Sequence, residues 1–154
     1  MAADRESPFR DPALWLSDQP VTITVRGSSM APFLEEGDRV EVVRVTPGDL
    51  KAGDLIVFLR GGEVVVHRFL AARGGLFLEK GDGQYRGNWA PWPLAVGRVV
   101  ALWKVEERRD LAEGSWLRRM TALGRTHLRA HRASAFAEKL PGTLLRRIFL
   151  RLCR

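Results

Sequence analysis

Between Val21 and Trp103 apolar and polar residues alternate in short runs, the period-two pattern of strands with one buried face. Candidate strands are Val21–Arg26, Arg39–Val45, Asp54–Arg60, Glu63–Ala71, Leu76–Glu79 and Val96–Trp103. Gly61-Gly62 supplies two positions that tolerate positive φ and predicts a tight hairpin between two of them. Pro8, Pro12 and Pro20 make residues 1–20 an extended lead-in, with Trp15 and Leu16 free to pack on the domain. Asn88-Trp89-Ala90-Pro91-Trp92-Pro93 is stiffened by proline and is not expected to form regular structure. Trp92 is expected to cover the core, whereas Trp89 suits either the core or a membrane interface.

From Ser115 the period changes. Trp116, Met120, Leu123 and His127 recur at three- and four-residue steps, with Ser115 as a candidate N-cap and Pro141-Gly142 as the stop. A shorter helix follows, with Leu144, Leu145, Ile148, Phe149 and Leu152 on one face and Arg146, Arg147, Arg151 and Arg154 on the other. The expected organisation is an extended lead-in (1–20), a mainly β domain (21–110) and a basic helical tail (111–154).

Charge sharpens that division. Residues 1–110 carry a net −1 and residues 111–154 a net +8, which together make the +7 of the whole chain. A basic amphipathic tail suits a peripheral membrane or acidic protein contact, and equally a helix packed on its own domain with a solvated arginine face. Nucleic acid is the weaker candidate partner for this tail, and a steep salt dependence of DNA binding would reveal it. Residues 1–20 contain Asp4, Arg5, Glu6, Arg10, Asp11 and Asp18, which fit neither a signal peptide nor a spanning helix. Apolar runs such as Leu55–Leu59 are of strand length, so a soluble or peripherally bound protein is expected. The single cysteine, Cys153, excludes an intrachain disulfide and leaves the redox compartment open. A chain of 154 residues can bury a core without metal or disulfide.

The chemistry concentrates in a few motifs. Gly27-Ser28-Ser29-Met30-Ala31-Pro32 sets a hydroxyl on a glycine-led turn after the first strand, and His67 lies inside the apolar run Val64–Leu70. A serine at a strand end and a histidine in a neighbouring strand are the minimum parts of a nucleophile and its base. With Gly37-Asp38-Arg39-Val40, Lys80-Gly81-Asp82 and Gly97-Arg98-Val99-Val100, in that order, the chain resembles the type I signal peptidase superfamily, which includes the self-cleaving repressors of SOS and phage type. The resemblance covers Val21 to Trp103. Val66-His67-Arg68 is similar to the archaeal and endoplasmic-reticulum branch, in which histidine replaces the lysine base of most bacterial members and of the repressors.

The resemblance implies Ser29, immediately before the methionine, as nucleophile in preference to Ser28. Met30 is expected to anchor the turn in the core, and Pro32 to stiffen its exit. If Val64 and Val66 face the core, Val65 and His67 share the opposite, cleft-lining face. A neutral imidazole at pH 7 can accept the serine proton without the deep burial that a lysine base requires. Asp82 is the expected third member, orienting His67, with a turn role as the alternative. Here the chain departs from the family pattern: Gly83 stands where asparagine is common, and Gln84 to Leu94 contains no second aspartate. The Ser29 N–H is the expected oxyanion donor, with Ser28 or a neighbouring amide as the second, since Gly27 stands where many signal peptidases carry a serine. Asp38 and Asp54 read as turn residues. His127 and His131 have the i, i+4 spacing of metal ligands but no third partner in the sequence, and are expected to be solvated.

The expected function is a serine endopeptidase, without metal or cofactor, cleaving a leader or precursor peptide after small residues through an acyl-enzyme. A self-cleaving regulator and a catalytically silent peptide-binding module of the same fold are the alternatives.

Overall fold

The computed structural model describes residues 19–93, 96–104, 107–111 and 114–137. Expectations for Trp15 and Leu16 and for the second helix at 144–152 lie outside the described residues. The fold is mainly β. Its strands are β1 (Val21–Thr24), β2 (Arg39–Val45), β3 (Leu55–Arg60), β4 (Glu63–Arg73), β5 (Leu76–Lys80), β6 (Asn88–Pro91), β7 (Val96–Lys104) and β8 (Glu107–Asp110). They form one antiparallel sheet in the order β1-β2-β7-β3-β4-β5-β6, with β8 added onto β7. Among the described residues one α-helix, α1 (Gly114–Ala137), follows.

Alternation gives the sheet two apolar faces. In β3 the four consecutive buried residues divide by parity. Leu55 and Val57 join a cluster with Ile23, Met30, Leu34, Val40 and Val42, while Ile56 and Phe58 join a second with Phe69, Phe77 and Val96. Each such side chain, once fully buried, contributes about 1.5–3 kcal/mol. The Gly61-Gly62 hairpin forms as expected, with φ of +59° and +84°. Both values belong to a two-residue turn that matches strand twist, so both positions need glycine.

Three elements differ from the sequence expectation. Asn88–Pro91 is a strand, pairing with β5 from Glu79↔Asn88 to Leu76↔Pro91. It is an edge strand, where proline's missing N–H interrupts no ladder. Trp92 just beyond it stacks on Phe77 (4.9 Å between ring centroids) and covers the second cluster, whereas Trp89 lies under the Arg73 guanidinium. β8 has no apolar alternation. It is held by pairing with β7 and by Arg108, which donates to the Glu41 carboxylate at 3.1 Å.

The third difference concerns the helix. Its expected apolar stripe included Leu123, yet Leu123 is 37% exposed and Gly124 is buried. A Cβ on Gly124 would lie 2.4 Å from Gly53 N and 2.5 Å from Gly53 Cα, so helix and turn meet backbone to backbone. Arg119, Arg125, Arg129 and Arg132 are exposed. Among the described residues, no helix is long and apolar enough to cross a membrane.

Gly124→Ala separates two effects. Helix propensity alone would favour alanine by about 1 kcal/mol, but the rigid backbone contact costs about 1–3 kcal/mol through overpacking. A net loss of stability in chemical denaturation is the expected outcome.

Candidate active site

The site is assembled at the end of β1. Beyond Thr24 the chain closes a loop, with Val25 N–H donating to Asp38 O (2.7 Å) and Gly37 N–H to Val25 O (3.0 Å). Gly27, at φ +77°, then turns it into Ser28-Ser29-Met30. Ser28 O accepts from Ala31 N–H, and Met30 O from the N–H groups of Phe33 and Leu34, all at 3.0 Å. The Ala31–Pro32 peptide is cis. Met30 is 2% exposed and anchors the turn in the first cluster. Ser28 is exposed and Ser29 half-buried between them.

Ser29 Oγ lies 3.2 Å from His67 Nε2. His67 is buried in β4, with its ring edge-on to Phe58 on the face of the second cluster. Its Nδ1 bonds Glu79 Oε2, and the other Glu79 oxygen accepts from Arg60. An ionised carboxylate only accepts, so Nδ1 carries the proton and Nε2 presents its lone pair to the hydroxyl. Burial pushes the Glu79 carboxyl up. The hydrogen bond from His67 and the charge and hydrogen bond of Arg60 oppose that effect and hold it below its ordinary value.

Asp82 is placed elsewhere. Arg68, fully buried, donates through Nε to Asp82 Oδ1 (2.8 Å) and through Nη2 to Oδ2 (2.5 Å), while Nη1 donates to Gly53 O (2.8 Å). The expectation that Asp82 orients His67 is therefore corrected: Glu79 occupies that position. Strand parity is the reason. In the β4–β5 register Arg68 pairs with Lys80 and Phe69 with Glu79, so Glu79 shares the His67 face and Lys80 the Arg68 face. Asp82 lies beyond the end of β5 and meets Arg68 in a bidentate pair. Burial lowers the Lys80 ammonium pKa, with Asp82 opposing that shift and Arg68 adding to it.

The turn carrying Asp82 nevertheless supports Ser29. Gly83 N–H donates to Ser29 O at 2.9 Å. A Cβ on Gly81 would stand 2.4 Å from Ser29 O, and one on Gly83 would stand 3.3 Å from Ala31 O and Ser28 O. Bare backbone at both positions lets the two turns interlock, which accounts for glycine at Gly83. Asp38 and Asp54 do the expected turn chemistry, accepting from Glu35 N–H (3.0 Å) and Lys51 N–H (2.9 Å). His127 and His131 are half-buried rather than solvated: their Nδ1 atoms are buried where α1 crosses the sheet. Among the described residues no group of three or more His, Cys, Asp or Glu side chains is arranged to hold a metal ion.

Glu79 was not singled out in the sequence. The available signal was a lone carboxylate in the strand Leu76-Phe77-Leu78-Glu79, two residues beyond the buried Phe77 and hence on its face.

The fold and this constellation define a class. The Peptidase S24-like family model matches residues 2–87, more than half of the chain. The chain belongs to that family, within the superfamily of self-cleaving repressors and signal peptidases; the family includes serine peptidases as well as regulatory and catalytically inactive members. No curated protein and no solved structure matches the chain.

Two substitutions test how the Asp82 turn supports the site. Asp82→Ala leaves the Arg68 guanidinium buried without its partner and is expected to cost about 3–5 kcal/mol in denaturant unfolding. Gly81→Ala forces the Ser29 turn to move and is expected to cost about 1–3 kcal/mol. It should also weaken labelling of Ser29 by a serine-reactive phosphonate under conditions where the protein is still folded.

Proposed function

We propose that the protein is a serine endopeptidase that cleaves a leader or precursor peptide after small residues, with Ser29 as nucleophile and His67 as general base. The observation that carries this reading is the 3.2 Å approach of Ser29 Oγ to a His67 Nε2 whose opposite nitrogen is held by a buried carboxylate.

In the proposed reaction His67 Nε2 takes the hydroxyl proton as Ser29 Oγ adds to the scissile carbonyl carbon. Glu79 takes the orienting role first assigned to Asp82: it fixes the tautomer and stabilises the imidazolium. Collapse of the tetrahedral intermediate breaks the C–N bond, and His67 returns the proton to the leaving amine. Water, deprotonated by the same ring, then releases the acyl group from Ser29. Among the described residues the Ser29 N–H has no internal acceptor, which suits it to the developing oxyanion. Ser28, exposed beside it, is the candidate second donor. Gly27 and Met30 hold the turn in place.

Intact-mass analysis tests the reading. Wild-type, Ser29→Ala and His67→Ala protein are incubated alone and with precursor peptides carrying small residues at the cut. Cleavage by the wild type and none by either variant is expected, and fragment masses distinguish self-cleavage from action on another chain. Glu79→Gln should lower the rate roughly 10²- to 10⁴-fold by disturbing the tautomer. Equal behaviour of wild type and both alanine variants would contradict the proposal and favour a peptide-binding module.

A further inference from the structure

The seam between α1 and the sheet is polar where an apolar contact would be ordinary. His127 Nδ1 and His131 Nδ1 are both buried there without a hydrogen-bond partner. A buried unpaired polar atom is costly, so two on one helix face call for a reason.

The charges around them supply one. His127 faces Arg68 from β4, Lys80 from β5 and Asp82 from the following turn, with its Nδ1 3.4 Å from Asp82 Oδ1. That carboxylate is already taken by the bidentate pair with Arg68. His131 faces Lys80 and Arg86, and a Cβ on Gly87 would lie 3.5 Å from its Nδ1. Residues Gly114–Ala137 contain no carboxylate of their own. The two rings are four residues apart on one helix, so two imidazolium charges would also repel each other. Burial is the largest cause lowering the pKa of each ring below 6.5; Lys80 adds to both, Arg68 to His127 and Arg86 to His131, and together they outweigh the Asp82 carboxylate, which opposes the shift at His127.

We propose that α1 is a pH-sensitive cover over the Arg68–Asp82 face of the domain, docked while His127 and His131 are neutral and released as they take up protons. The docked state binds fewer protons, so docking is complete above the ordinary histidine value and weakens as pH falls below about 6.5 towards the lowered docked values. Excluding a proton from one ring shifts the docking equilibrium up to about tenfold between pH 7.5 and 5.5, and from both up to about a hundredfold. Release leaves a helix whose residues 114–137 contain no carboxylate to pair along its own face, and whose stability otherwise comes from packing on the sheet. It also uncovers the turn that supports Ser29.

Hydrogen exchange of the whole chain tests this independently of any peptidase activity. Amide protection in residues 121–132, corrected for intrinsic rates and compared with β3 and β4, should fall up to about a hundredfold between pH 7.5 and 5.5. A His127→Gln/His131→Gln variant should show no such helix-specific fall. An unchanged ratio in the wild type, or the same fall in the variant, overturns the proposal. Should the variant fail to fold, ring titration of the wild type by NMR decides: midpoints below 6.5 are expected for both histidines, and values at or above that overturn it.

Discussion

The arrangement around Ser29 depends on one buried carboxylate. Glu79 is 1% exposed, and an anion in that position is tolerable only if it is paired on both sides. Arg60 from β3 takes one oxygen and His67 from β4 the other, so three adjacent strands converge on a single charge. Because the carboxylate can only accept, it dictates which His67 nitrogen is protonated and which faces Ser29. The orientation of the His67 ring is thus a consequence of how the sheet avoids stranding a charge.

A second buried ion pair does different work on the opposite face. Arg68 joins Asp82 to the Gly53 carbonyl and lies over the Phe33 ring. It thereby ties the turn after β5 to the loop before β3 and to the segment that follows Ser29. The Gly81–Gly83 turn carries that restraint to the Ser29 carbonyl, and Gly53 carries it to α1 through Gly124. Neighbouring residues of one strand, His67 and Arg68, therefore face opposite ways, one towards Ser29 and Glu79 and the other towards Asp82 and Gly53.

Much of this is legible in the sequence. Alternation marks six of the eight strands to within a few residues, and the Ser-Met-x-Pro and Val-His-Arg segments single out Ser29 and His67. Glu79 escapes because its partner is fixed by the β4–β5 register, which shifts between Phe69 and Ala71, and a bulge leaves no mark in the hydropathy pattern. Asp82 stands in the motif where a third member is expected, yet it passes the end of its strand and meets Arg68 instead. β6 hides behind its proline because an edge position cannot be read before the sheet order is known. The histidines of α1 look solvated until the contact between Gly124 and Gly53 shows which side of the helix is pressed against the sheet.

Of the two adjacent serines, it is the Ser29 hydroxyl that lies beside His67 Nε2 and that the proposed function requires to be activated. The most direct measurement is peptide mapping after reaction with a serine-directed phosphonate, on wild-type and His67→Ala protein. A single adduct on Ser29 in the wild type and none in the variant is expected. An adduct on Ser28, or equal labelling of both proteins, would contradict the proposal.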